Sequence, residues 1–380
     1  MIDFELTEAD REILALAKEE ALIGRAYARH YDTDWDAHEP PADPPLKSPK
    51  GPRQLVEERL AETSGRNVLD GLLSIIDQWG DVAVRHNEIG IGTMIVMSGG
   101  TPDIQAEWGD KLLSVSMTEP GAGSDPSRIQ MVVQKDPATK EWILNGEKIY
   151  ISAGGASAGA VVLAKVVEEN GKTALGTFLV PKGTPGFNVL PQVRKLGIRA
   201  WDTADFYFEN CRIPEHYRLH ADFKKTMMAF NNTRPLMAAK GLGCARAALD
   251  FTREQLTERG FDLNEDAPLS RRSAFADRLA KMEAHYDASL LTLMRCKWIE
   301  DREGGSKIEA SMTKAKGALA ARKITQECIA LLGAAGIDEA HLIEKWFRDA
   351  RIFDLFEGPG EIQRLIIARY LLGYGPTELS

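Results

Sequence analysis

The sequence predicts a mostly α-helical protein interrupted by a central β-domain, in the order helix, sheet, helix. Two changes of hydrophobic period and one proline cluster carry that expectation. Apolar residues recur at helical spacing through residues 1–111, gather in short runs over 112–221, and return to helical spacing over 222–380. The proline cluster breaks the first region: Pro40, Pro41, Pro44, Pro45, Pro49 and Pro52 fall within residues 40–52. Proline at that density can neither continue a helix nor fill a sheet ladder, so the segment reads as an extended loop. It is either a surface connection or a lid over a substrate entrance.

Each region has its own markers. Thr7 followed by Asp10 reads as an N-cap, and Ile13, Leu14, Ala17 and Ala21 keep helical spacing behind it. Helical patterns resume from Gln54 to Val96. In the middle region the runs Leu113–Met117, Gln130–Gln134, Trp142–Leu144, Ala160–Val166, Thr177–Val180 and Ala204–Phe208 read as strands. Asp136-Pro137, Asn145-Gly146, Asn170-Gly171 and Pro185-Gly186 read as turns between them, which suggests a compact sandwich or barrel. In the last region Phe275, Leu279, Met282, Tyr286, Leu290 and Leu293 form one buried stripe of a long helix, and Lys307–Leu332 is an alanine-rich amphipathic helix. Helices of this length pack as a bundle.

Composition narrows the function classes. A net charge of −9 argues against a nucleic-acid backbone or an anionic membrane as partner. A polyanionic ligand would need a locally arranged site. Cys211, Cys244, Cys296 and Cys328 form no C-x-x-C pair, which argues against a zinc site or a disulfide framework; no metal is expected. The acidic N-terminus has no signal-peptide pattern and no apolar run approaches a membrane span, so the expected location is cytoplasmic.

Three strings could carry chemistry. Met117-Thr118-Glu119-Pro120-Gly121-Ala122-Gly123-Ser124-Asp125 follows a strand and can present backbone N–H groups and hydroxyls to an anionic or carbonyl-rich ligand, although Pro-Gly and Gly-Ser also make ordinary turns. No G-x-G-x-x-G opens a helix there. In Asn145-Gly146-Glu147-Lys148-Ile149-Tyr150-Ile151-Ser152, Asn145-Gly146 reads as a hairpin turn, and Tyr150 and Ser152 share a strand face where a ring and a hydroxyl could meet one ligand. In Phe356-Glu357-Gly358-Pro359-Gly360-Glu361, a carboxylate beside two glycines lies on a turn between helices; it is either pushed into a cavity or an exposed loop glutamate.

Together, in this order and spacing, the three strings resemble the acyl-CoA dehydrogenase family, with support from Lys195–Arg199, Asp202-Thr203, Glu209–Pro214 and Thr233-Arg234-Pro235. The resemblance covers roughly residues 100–375. It implies an N-terminal helical domain, a middle β-domain and a C-terminal four-helix bundle, with FAD between the last two. It implies that Met117 and Thr118 meet the flavin pyrimidine edge and that Ser124 reaches the FAD pyrophosphate region and the substrate. Tyr150 takes a place where the family often has tryptophan, and Ser152 one near the reactive flavin nitrogen; Glu361 belongs to the cofactor-binding motif. Glu357 matches the catalytic base, Arg234 lies near the active site, and Thr233 and Gly358 line the substrate. Thr233 occupies the position from which a subset of the family draws its base, and a threonine cannot serve there. The implied reaction is dehydrogenation of an acyl-CoA to a trans-2-enoyl-CoA, with electrons passed to an electron-transfer flavoprotein by a homotetramer or homodimer.

Two stretches depart from the family. Arg253-Glu254-Gln255-Leu256-Thr257 lacks the arginine pattern that reaches FAD across a subunit interface, and Ala330-Leu331-Leu332-Gly333-Ala334 replaces a glutamine and two glycines. Hence a second reading, a half-site subunit of a hetero-oligomer with another acyl-CoA dehydrogenase chain. A third is an oxygen-reactive oxidase or monooxygenase on the same fold, which intact Glu357 counts against. The acyl group stays open: straight, branched, aromatic or steroid-derived.

Overall fold

The computed structural model describes residues 4–33, 59–81, 90–167, 173–220, 223–375 and 378. The proline cluster at 40–52 and the Asn170-Gly171 turn lie outside them. The chain forms two compact units, one of residues 1–85, 196–200 and 231–380, the other of residues 86–195 and 201–230. Among the described residues no helix is long and apolar enough to cross a membrane.

The helical unit begins with α1 (Glu8–Thr33). A reciprocal pair of bonds caps it: the Asp10 N–H donates to the Thr7 hydroxyl at 3.1 Å and the Thr7 N–H to the Asp10 carboxylate at 3.0 Å. Ile13, Ala17 and Ala21 form its buried stripe. Helix α2 (Asn67–Trp79) packs against α1. The Arg25 guanidinium lies 3.6 Å from the centre of the Trp79 ring and donates to the Trp79 carbonyl, so one cation closes the end of α2 and covers an aromatic face.

The other unit is built on an eight-stranded mixed sheet, preceded by α3 (Ile91–Gly99) and α4 (Pro102–Trp108). Its strands are β1 (Leu113–Ser116), β2 (Val132–Lys135), β3 (Trp142–Ser152), β4 (Gly159–Val167), β5 (Thr173–Pro181), β6 (Phe187–Val189), β7 (Thr203–Ile213) and β8 (Arg218–Leu219). The order is β6-β7-β3-β2-β4-β5-β8, with β1 also on β4. Strand β4 is buried on both faces. Ala160, Val162, Ala164 and Val166 join the core with Phe178, Phe206 and Phe208, while Val161 meets Ile95, Ile104 and Trp108 of the two helices. That double burial is why its sequence is apolar except at Lys165. Strands β1 and β2 both run parallel to β4 and take successive stretches of one edge, Gly159–Val162 and Lys165–Val166. The chain between them, from Met117 to Met131, must leave the sheet there and return.

One expected turn is not a turn. Asn145-Gly146 lies inside β3, where the register to β7 slips between Leu144 and Gly146. Gly146 has φ +136°, open to glycine, and the Asn145 side chain accepts from the Asn210 N–H at 2.8 Å. The pair forms a bulge, because β7 continues as partner on both sides of it. Strands β6 and β8 escape the sequence pattern because they span three and two residues.

The helical unit resumes within α5 (Phe223–Glu258), followed by α6 (Ala274–Glu303), α7 (Lys307–Leu332), α8 (Ile343–Asp349) and α9 (Gly360–Leu372). In α6, Leu279, Met282, Tyr286 and Leu293 are buried; Phe275 and Leu290 are half-buried. Helices α2 and α5 touch closely at Gly243, where an added Cβ would lie 2.4 Å from the Ile75 carbonyl oxygen. Residues 196–200 dock on α8: the Ile198 N–H donates to Asp349, and Arg348 donates to the Leu196 carbonyl at 2.9 Å. Beneath them Lys345 is held between Asp81 and Asp349, a fully buried ion cluster. This cluster anchors α8, which is followed by a short 3-10 turn (Ile352–Asp354) and then the reversal at Glu357.

Candidate active site

In the helical unit, Glu357 sits between α8 and α9 with φ +54°, followed by Gly358 at +87°. Two consecutive left-handed residues make a tight reversal, and a non-glycine residue there is strained. Surrounding groups hold the reversal. The Gln363 amide donates to the carbonyls of Glu357 (3.3 Å) and Gly358 (2.9 Å), and the Lys314 ammonium reaches the Gly358 carbonyl at 3.4 Å. Helix α5 meets the same residue twice. The Thr233 hydroxyl donates to Glu357 Oε2 at 2.8 Å, and Arg234 Nε donates to the Glu357 carbonyl at 3.3 Å while its Nη1 reaches the Asn231 side chain at 2.7 Å. Pro235 has no N–H to donate to the Asn231 carbonyl, so one helical bond is missing where these side chains project.

The electrostatics follow from burial. Burial raises the Glu357 carboxyl above its ordinary value, while the Thr233 hydroxyl, Lys314, Arg234 and Lys240 pull it back. Arg234 and Lys240 are buried and Lys314 is wholly so. Burial pushes the Lys314 ammonium down to about 8. A carboxylate with raised proton affinity, held by one hydroxyl and flanked by cations, can accept a proton from a weak carbon acid.

The sheet unit contributes a second constellation. The 117–125 segment leaves β1 and tightens at once, with Glu119 and Ala122 exchanging both backbone bonds. A buried ion pair pins it. The Lys148 ammonium, fully enclosed, bonds to Glu119 (2.7 Å) and to the carbonyls of Met117 (3.0 Å) and Leu163 (2.6 Å). Glu119 also accepts from the N–H groups of Gln130 and Met131. Met117 and Thr118 are half-buried, and Ser124 is exposed. On β3 a second bulge between Lys148 and Ile151 puts Tyr150 at φ +58°, its N–H held by Asp205 at 2.7 Å, and leaves the Tyr150 ring and Ser152 exposed. Hydroxyls, backbone donors and an exposed aromatic ring suit a planar, polar-edged group such as a flavin.

The structure thus brings Thr233, Arg234 and Gly358 around Glu357, and places Met117, Thr118, Ser124, Tyr150 and Ser152 in the sheet unit. Glu361 points elsewhere. It is exposed on the first turn of α9 and paired with Arg364 at 2.7 Å. The sequence reading missed Lys314, Gln363 and Asn231 beside the turn, and Lys148 beneath the Thr118 segment. Arg253 is bonded to Glu265 and Glu283 of its own chain. Among the described residues no cluster of His, Cys, Asp or Glu is arranged to hold a metal ion, and the four cysteines are buried free thiols.

Helices around a strained glutamate turn, joined in one chain to a mixed sheet with an exposed ring and hydroxyls, define a class of flavin-dependent oxidoreductase. Comparison with known proteins makes this specific. The profile "Acyl-CoA dehydrogenase, middle domain" matches residues 114–211, and "Acyl-CoA dehydrogenase, C-terminal domain" matches residues 223–372. The chain is 32% identical over 286 residues to the mouse short-chain specific acyl-CoA dehydrogenase, mitochondrial, covering 73% of this chain and 68% of that one. It is 32% identical over 268 residues to an acyl-CoA dehydrogenase of Bacillus subtilis, covering 70% and 69%. Butyryl-CoA dehydrogenase from Megasphaera elsdenii shares the fold with a TM-score of 0.79 at 24% identity, covering 98% of this chain and all of that one. The chain belongs to the acyl-CoA dehydrogenase family. It is accordingly an oxidoreductase acting on the CH–CH group of acyl-CoA, with FAD as cofactor.

Proposed function

We propose that this protein catalyses α,β-dehydrogenation of an acyl-CoA thioester to a trans-2-enoyl-CoA, with Glu357 as the base. The observation that carries the reading is the Glu357 carboxylate itself, half-buried on a strained turn, bonded to Thr233 and surrounded by Arg234, Lys240 and Lys314. Glu357 removes the α-proton of the thioester. Its own backbone N–H is a donor to the thioester oxygen, where negative charge develops. Arg234 holds the Glu357 carbonyl, so the carboxylate stays where the proton must be taken. Bound FAD supplies the acceptor for the hydride leaving the β-carbon. Thr118 and Met117 are proposed against the flavin's polar edge, Tyr150 and Ser152 beside the ring, and Ser124 toward the pyrophosphate. An electron-transfer flavoprotein is the proposed next electron acceptor.

The test is anaerobic mixing with a panel of acyl-CoAs. The wild type should lose its flavin absorbance with at least one of them. Glu357→Gln should keep FAD and bind acyl-CoA but lose reduction by several orders of magnitude. Near-normal reduction in that variant would remove Glu357 from the role.

One observation favours a second reading for the assembly. The exposed apolar end of α9, with Tyr370, Leu371 and Leu372, and Tyr374 just beyond it, suits burial against another chain. Yet Arg253 is tied to Glu265 and Glu283, which leaves it poorly placed to serve FAD in a second copy. A different chain completing the FAD site would answer both facts. FAD stoichiometry of the chain purified alone decides: one FAD per chain supports a homotetramer or homodimer, and a substoichiometric value supports the hetero-oligomer.

A further inference from the structure

Lys314 lies two turns into α7 and has no solvent exposure. An ammonium so enclosed is costly unless its charge is answered. Its one hydrogen bond is long, 3.4 Å to the Gly358 carbonyl. The other acids nearby each pair with an arginine, although Oδ1 of Asp354 is buried without a hydrogen-bond partner. Asp354 accepts from Arg322 at 3.0 Å and Glu361 from Arg364 at 2.7 Å. Glu357 acts on Lys314 more strongly than Asp354 or Glu361 does, and its direct hydrogen bond comes from a neutral hydroxyl.

The other groups facing Glu357 act differently. From α5, Arg234 spends its hydrogen bonds on the Glu357 carbonyl and the Asn231 side chain, and Lys240 contributes charge. From α9, Gln363 holds only carbonyls. Among the cations, Lys314 has the largest effect on Glu357.

We propose that Lys314 is a positioning residue for Glu357: its buried ammonium holds the Gly358 carbonyl from below and keeps the adjoining carboxylate ionised. This rests on Glu357 being the base. A bound acyl chain would exclude water and raise the carboxyl's proton affinity further, so a cation that water cannot screen is the one that keeps it ready to accept a proton.

Infrared titration of the holoenzyme tests this directly, taking as the Glu357 signal the protonated-carboxyl band absent from Glu357→Gln. Lys314→Met should raise the band's midpoint pH by about one unit or more, a tenfold gain in proton affinity. Lys314→Gln, which can still donate to Gly358 but carries no charge, should do the same, and Lys314→Arg should stay near wild type. The acidic limb of flavin reduction should move with the midpoint, in kcat more than in KM. A merely structural lysine would lower the melting temperature of the Met and Gln variants without moving the midpoint, and that result overturns the proposal. Either uncharged variant suffices if the other does not fold. Should Glu357→Gln retain flavin reduction, the base assignment fails, while the infrared midpoint still decides whether Lys314 governs this carboxyl.

Discussion

The Thr233 hydroxyl donates to Oε2 of Glu357 at 2.8 Å, joining two residues 124 positions apart. The bond favours the ionised carboxylate, opposing the burial that favours the neutral form. Thr233→Val keeps the volume and removes the donor. The Glu357 proton affinity should therefore rise, and the acidic limb of anaerobic flavin reduction should shift to higher pH. A hydrogen bond to a charged group contributes about 1.5–3 kcal/mol, so reduction well below the limb should fall about tenfold or more. An unshifted limb would mean that the hydroxyl serves substrate rather than base.

Lys148 and Glu119 form a pair enclosed on all sides, in contact with three carbonyl or carboxylate oxygens and two backbone N–H groups. Removing one partner strands the other. Lys148→Met should lower stability by about 3 kcal/mol or more, and adding Glu119→Gln should restore part of the loss. Denaturant unfolding measures both. FAD affinity should fall in the single variant, because the pair pins the 117–125 segment; unchanged affinity would separate that segment from the cofactor.

Asp32, near the end of α1, is buried and accepts from Arg29 (3.0 Å) and Arg348 (2.6 and 3.1 Å). Burial pushes its carboxyl up, but the Arg348 bonds and charge more than offset this, so the net shift is downward from 3.8. A depressed folded value means the stability is present above about 3.8 and is lost as pH falls through the lower folded value. Asp32→Asn should cost about 2 kcal/mol at neutral pH. The difference from wild type should shrink as pH falls below 3.8, and urea unfolding across that range checks the sign.

The fold order was legible because periodicity survives in long elements such as α6 and β4, each with one dominant environment along its length. The bulges in β3 were not. Asn145-Gly146 has the composition of a turn, and only the continuity of β7 as partner shows that the strand runs on. The residues that meet at the turn, Glu357, Thr233 and Arg234, were legible from their strings. Lys314 was not, since Lys314, Lys316 and Lys323 look alike in an alanine-rich helix. The signal available was its neighbours: Ser311, Gly317 and Ala318 lie three or four residues away and are buried, which puts Lys314 on the inward stripe and Lys316 outside. Glu361, also on a motif, turns its side chain to Arg364 at the surface.

Gly358 follows Glu357 at φ +87°, and a Cβ added there would lie 2.5 Å from Gln363 Nε2. Gly358→Ala therefore acts in two ways: it strains the backbone and displaces the amide that holds the carbonyls of residues 357 and 358. The fold should lose only about 1–2 kcal/mol, since the turn is local and α9 packs independently of it against α7. The rate should suffer more, because a base displaced by even an ångström no longer meets the α-proton in line. Flavin reduction should fall about 100-fold while FAD content, which we propose depends on the other unit's residues, stays near wild type. Rapid mixing with acyl-CoA and a cofactor count measure the two quantities separately. Loss of FAD together with rate would show that the turn holds the cofactor as well as the base, and a normal rate would show that Glu357 reaches its proton without the reversal that Gly358 permits.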